Sequence, residues 1–123
     1  MTRQQLFAYC LEAFDTAPDY PFDDLMETAV FRHAYNRKWY AILMRVPKSR
    51  LGLHSEERAD VLNVKLPPDM IDSFHAADGV YPAYHMNKAH WVSVLLEVAP
   101  DDLVQFLLGV SHSLIKPAKK CRK

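Results

Sequence analysis

Proline decides where helices can lie in this chain. Ala17-Pro18-Asp19-Tyr20-Pro21, Pro67-Pro68-Asp69 and Pro100-Asp101-Asp102 form three breaks. A proline biases its predecessor out of the helical region and lacks the N–H that a helix interior uses, so each break ends one element or opens the next. Upstream of the first, Thr2 and Gln5 have the spacing of a capping box, and Leu6, Phe7, Cys10 and Phe14 recur at three- and four-residue intervals, predicting a helix over residues 3–16. Pro68 opens a short second helix with Met70, Ile71 and Phe74 inward, stopping before Gly79, which tolerates positive φ. Pro100 opens the last helix, with Asp101 and Asp102 against the positive end of its dipole and Leu103, Phe106, Leu107 and Val110 as the expected apolar stripe.

Between the breaks, residues 28–35, 38–46, 58–66 and 90–97 are rich in Val, Ile, Leu, Tyr, Phe and Trp and read as strands. Tyr35-Asn36-Arg37-Lys38 joins the first two as a hairpin, with Asn36 suited to the left-handed turn conformation. Strands adjacent in sequence, between helices at either end, imply an α+β fold with the terminal helices packed on one face of the sheet. The length, 123 residues, fits one domain over 1–123, with 116–123 expected as a mobile basic tail.

Strand parity sorts the faces. Tyr40, Ile42, Met44 and Val46, with Leu62, Val64 and Leu66 and with Val92, Val94 and Leu96, read as core. The alternate set is Trp39, Ala41, Leu43 and Arg45, then Asn63 and Lys65, then Trp91, Ser93 and Leu95. It predicts a platform of tryptophans and cations that is either open, as in sheets that stack single-stranded nucleic acid, or covered by loops or a second subunit.

Net charge is zero, yet residues 1–30 hold one basic against six acidic groups, 31–66 eight against three, 67–115 one against six, and 116–123 five against none. Such segregation permits a local basic face and equally suits solvated helices. No apolar run has the ~20 residues of a membrane helix, and the N-terminal segment lacks the pattern of a signal peptide, so the expectation is a cytoplasmic protein. Cys10 and Cys121 make no metal or disulfide spacing, Gly52, Gly79 and Gly109 form no phosphate loop, and no nucleophile is paired with a base. The expectation is therefore no enzyme, no metal and no cofactor.

The densest polar run is Tyr81-Pro82-Ala83-Tyr84-His85-Met86-Asn87-Lys88-Ala89-His90-Trp91. The Pro-x-x-His-x-Asn-Lys-x-His-Trp arrangement of Pro82, His85, Asn87, Lys88, His90 and Trp91 resembles that of the MmcQ/YjbR family. Pro21-Phe22, Val61-Leu62-Asn63-Val64-Lys65 before Pro68, and Ser111-x-Ser113-Leu114-Ile115 agree with it. The resemblance implies a frataxin-like antiparallel sheet and a DNA-binding role through a double-wing motif. It departs at Asn36-Arg37-Lys38, where relatives have a Gly-Lys turn, and at His112, where an aromatic is usual. The residues expected to meet nucleic acid or ligand are Arg37, Lys38, Trp39, Lys65, Tyr84, His85, Asn87, Lys88, His90 and Trp91, together with the tail from Lys116 to Lys123. The alternative is a protein partner, a homo-oligomer or a small anionic ligand on the Tyr84 to Trp91 surface. In particular, a tight turn at Asn87-Lys88 would gather His85, Asn87, Lys88 and His90 around one shallow anion pocket.

Overall fold

A computed structural model describes residues 1–22, 27–34, 36–74 and 77–115. Helix α1 (Arg3–Phe14) starts on the predicted capping box: Thr2 Oγ1 accepts from the Gln5 N–H and Gln5 Oε1 from the Thr2 N–H. Strands β1 (Ala29–Arg32), β2 (Trp39–Pro47) and β3 (Arg58–Lys65) follow, with a 3₁₀ turn at Lys48–Leu51. Then come α2 (Pro68–Phe74), β4 (Val80–Pro82), β5 (Trp91–Leu95) and α3 (Asp101–Ile115). The five strands form one antiparallel sheet in the order β1-β2-β3-β5-β4. Both edges are short. Strand β4 has three residues, one of them Pro82, and β1 has four, with Asp19 bridged to Val30. Strand β4 was not expected from the sequence, and the first strand is shorter than the 28–35 span expected.

Helices α1 and α3 bury Leu6, Cys10, Val104, Leu107 and Leu108 against Phe31, Tyr40, Ala41, Leu43, Leu62, Val64, Val92 and Val94. The sequence-based phase of α3 was off: Val104, Leu107, Leu108 and Ser111 face inward, while Phe106 is exposed. The face assignment of β2 also needs correction. Pairing of β1 with β2 runs Phe31↔Ala41 and then Arg32↔Trp39, so Tyr40 is an extra, bulged residue. Tyr40 and Ala41 consequently both join the helix-covered core, Leu43 follows them, and Ile42, Met44 and Val46 pass to the opposite face. Arg45 leaves the platform with Leu43 and lies 3.7 Å from Asp60, which also pairs with Arg3 of α1.

The bulge leaves a gap in the β2–β3 ladder, and α3 closes it. Ser111 Oγ donates to the Tyr40 carbonyl (2.6 Å) and accepts the Lys65 N–H (2.9 Å). Next to it His112 lies between the rings of Phe14 (4.5 Å) and His33 (4.1 Å), filling an aromatic position where α1, α3 and the end of β1 meet. At the far side of the sheet Gly79 has φ +82, and a Cβ there would lie 2.7 Å from the Ala99 nitrogen.

Candidate functional site

The second face of the sheet is not an open platform. Val30, Ile42, Met44, Val46, Ala59, Val61 and Leu95 form a smaller cluster on it, packed over by Leu51 and Leu53 from one loop and by Tyr81, Tyr84 and Met86 from the β4–β5 connection. Trp39 belongs to this cluster; Trp91 shares the face by alternation with Ser93 and Leu95.

Register fixes which predicted site residues meet. Ala41, Val64 and Val92 are aligned across β2, β3 and β5, so Trp39, Lys65 and Trp91 lie at one end of the sheet, with Lys65 and Trp91 direct cross-strand partners. The β1–β2 turn and the β4–β5 connection leave the sheet at this same end, carrying Arg37 and Lys38 on one and His85, Asn87, Lys88 and His90 on the other. In the first turn the left-handed residue is Arg37 (φ 63) rather than Asn36. Asn36 instead accepts the Lys38 N–H with Oδ1 and donates from Nδ2 to the Ile115 carbonyl, tying the turn to the end of α3. Arg32 and Arg37 share Asp19 at 2.7 and 3.3 Å, and the Arg32 guanidinium lies over the Trp39 ring.

In the second loop Asn87 is committed to the turn. Its Oδ1 accepts the Ala89 N–H and its carbonyl accepts from His90 and Trp91. Lys88 and His90 are thereby held out in solvent. His85 goes elsewhere, to the lip of an apolar cavity of about 240 Å³ lined by Phe22, Thr28, Trp39, Ile42, Met44, Asn63, His85 and Met86. The four polar residues Asn87-Lys88-His90 and His85 therefore do not surround one pocket; only His85 lines this cavity. Phe22, Thr28, Met44 and Met86 were not anticipated as site residues, because the cavity gathers segments far apart in sequence. Met44 in particular was assigned to the wrong face by the unmarked bulge.

The chemistry of nucleophiles is unpromising where it can be read. Burial pushes the Cys10 thiol up to about 12, so it stays protonated and apolar at neutral pH. Among the described residues no three His, Cys, Asp or Glu side chains converge as metal ligands. At the opposite end of the sheet Lys48 bonds Glu57 (2.9 Å) and Glu97 (2.7 Å), which raises its pKa and lowers that of Glu57. The predicted tail, Lys116 to Lys123, lies outside the described residues. No described helix is long and apolar enough to cross a membrane.

Fold and site together define an α+β protein whose candidate surface is carried by two loops at one end of an antiparallel sheet, with helices on one face only. The YjbR family model matches residues 11–114. "Uncharacterized protein YyaQ" of Bacillus subtilis (strain 168) is 37% identical over 117 residues, 94% of this chain and 99% of that protein. A crystal structure of a Pseudomonas syringae protein superposes with a TM-score of 0.90 at 40% identity, covering 94% of this chain and 100% of that one. A Deinococcus radiodurans protein carrying the domain DUF419 gives 0.69 at 30% identity, with 93% and 78% covered. The chain belongs to the YjbR family.

Proposed function

We propose that this chain is a DNA-binding module that engages phosphates with the two-loop end of its sheet. One observation carries the reading. Lys38, Lys65 and Lys88 come from three separate stretches of sequence to that end, and none has a carboxylate partner among the described residues, whereas Arg3, Arg45 and Lys48 at the other end are all paired. Arg50, also at that end, has no carboxylate partner among the described residues, and Arg58 there donates to the Arg45 carbonyl. Lysines unpaired among the described residues, Lys38 and Lys88 on loops and Lys65 at the end of β3, suit phosphate, and the adjoining Trp91 and His90 suit sugar or base edges. Asp19 offsets part of the charge of Arg32 and Arg37, so the expected affinity is modest and nonspecific.

Fluorescence-anisotropy titration of a generic duplex, repeated across salt concentrations, tests this. Three phosphate contacts give a log–log slope of about −3, at roughly −0.9 per contact. Absence of any complex with tens of micromolar protein at low salt would leave the proposal without support.

A further inference from the structure

The cavity beside Trp39 is separate from the lysines just described, and its chemistry is different. Its walls are Phe22, Trp39, Ile42, Met44 and Met86, and none of the described residues lining it is a carboxylate. At about 30 Å³ per water, 240 Å³ is the space of roughly eight waters. That matches one or two fused rings rather than a peptide or a nucleotide. Trp39 is a fixed wall: Phe22 meets it edge-on at 6.0 Å and Arg32 lies 5.6 Å from its ring centroid. The thioethers of Met44 and Met86 in the same lining are adaptable surfaces that pack well against aromatic edges.

The polar side chains among the described lining residues are Thr28, Asn63 and His85. Asn63 lies in the wall, but its Oδ1 accepts from Ser93 and its Nδ2 donates to the Tyr84 carbonyl. His85 is exposed at the lip, its ring lies 4.0 Å from that of Tyr84 at a tilt of 40°, and its ring nitrogens make no hydrogen bond among the described residues. Its backbone is left-handed, φ 64, a conformation uncommon outside glycine. It is held there because the preceding residue is fixed at both backbone groups, Tyr84 N–H on Ser93 Oγ and Tyr84 C=O on Asn63 Nδ2. The imidazole is thus placed over an apolar slot without a hydrogen-bond partner of its own among the described residues. The guanidinium of Arg32 behind Trp39 and the lack of a carboxylate among the described lining residues disfavour a cation.

We propose that this cavity binds a small planar aromatic molecule, neutral or anionic, with its rings against Trp39 and between Met44 and Met86, and with a hydrogen-bonding group on His85.

The chain has five methionines, so a methyl-labelled sample reports the site with internal controls. Titrating 2-naphthoate should move the Met44 and Met86 methyl signals saturably and leave Met1 and Met70 in place, with a dissociation constant on the order of 1 mM or tighter. Naphthalene methylammonium, the same rings with a cation, should bind at least fivefold more weakly. Trp39→Ala should abolish the shifts, and Phe22→Ala, an exposed position that keeps the fold, should weaken binding severalfold. His85→Ala should erase the preference for the anion over naphthalene itself. Unmoved Met44 and Met86 signals at millimolar probe, in protein whose Met70 signal is native, would overturn the proposal. So would equal binding of anion and cation, or Met44 and Met86 shifts that follow protein concentration without any probe, which would make the occupant a second copy of the chain.

Discussion

Ser93 Oγ donates to Asn63 Oδ1 at 2.5 Å across β5 and β3, and between them these two fully buried side chains take both backbone polar groups of Tyr84. Removing the hydroxyl in Ser93→Ala would strand the Asn63 carbonyl and the Tyr84 N–H. Each buried unsatisfied group costs about 1–3 kcal/mol, so a loss of at least 2 kcal/mol in urea unfolding is expected. Amide exchange at Tyr84 and His85 should accelerate more than at β2. Unchanged exchange there would mean that the loop is held by something else.

Ser111 predicts a second, independent loss. Ser111→Ala leaves the Tyr40 carbonyl and Lys65 N–H facing each other across the bulge with no bridge, for a cost of about 2 kcal/mol. Ser113→Ala, on the exposed side of the same helix, should change stability by less than about 0.5 kcal/mol. Equal costs for the two would contradict the stapling role.

The alkaline limb of stability should be steep. The Cys10 thiol ionises near its ordinary 9.0 when unfolded but only at about 12 when buried, and burial raises Tyr40 as well. Above pH 9 the unfolded chain therefore binds fewer protons than the folded one. The contribution is intact below pH 9 and is lost as pH rises toward 12, at about 1.4 kcal/mol per pH unit for each group fully inside its window. Urea melts between pH 7.5 and 10.5 should show the decline. Cys10→Ala lowers the whole curve through its cavity but flattens the alkaline part; a parallel curve would refute the assignment.

Two glycines with similar φ should respond differently to alanine. Gly52 has φ +87 and open space around it, so Gly52→Ala costs only the left-handed penalty, about 1–2 kcal/mol. Gly79→Ala adds a collision with the Ala99 backbone and should cost distinctly more. The difference in urea midpoints is the measurement, and equal midpoints would show that the segment around Ala99 yields.

Charge reversal locates the phosphate surface. Lys38→Glu and Lys88→Glu should each weaken duplex binding at low salt and lower the salt slope by about one. Arg50→Glu, at the other end of the sheet, should leave both unchanged. Equal effects from all three would reduce DNA affinity to net charge alone.

The helix boundaries and four of the five strands were legible, the helices because prolines and the Thr2–Gln5 capping box act locally, while the three-residue β4 was missed. The phase of α3 was not, since Leu103, Val104, Phe106, Leu107, Leu108 and Val110 make it apolar nearly all round. Its informative residue is polar: Ser111 belongs inside because the bulged ladder needs a hydroxyl. The bulge itself carries no glycine, and Trp39-Tyr40-Ala41 reads equally well in either register, so face assignment failed from Ala41 onward. The loop residues named from the family pattern do come to one end of the sheet. Their partition was illegible: Asn87 locks a turn, Lys88 and His90 project, and His85 turns to a cavity whose other walls, Phe22 and Met44, enter only through the tertiary fold.

The short sheet edges restrict how anything can join this molecule. A peptide adding itself as a sixth strand would need a run of free N–H and C=O groups, but β4 offers three residues with a proline among them, and β1 offers four, already engaged by Asp19. Strand exchange between copies is discouraged by the same brevity. Under the proposed function, recognition therefore falls to side chains at the loop end, where sequence can vary without disturbing the ladder, so a chain of this architecture could change its partner by altering two loops.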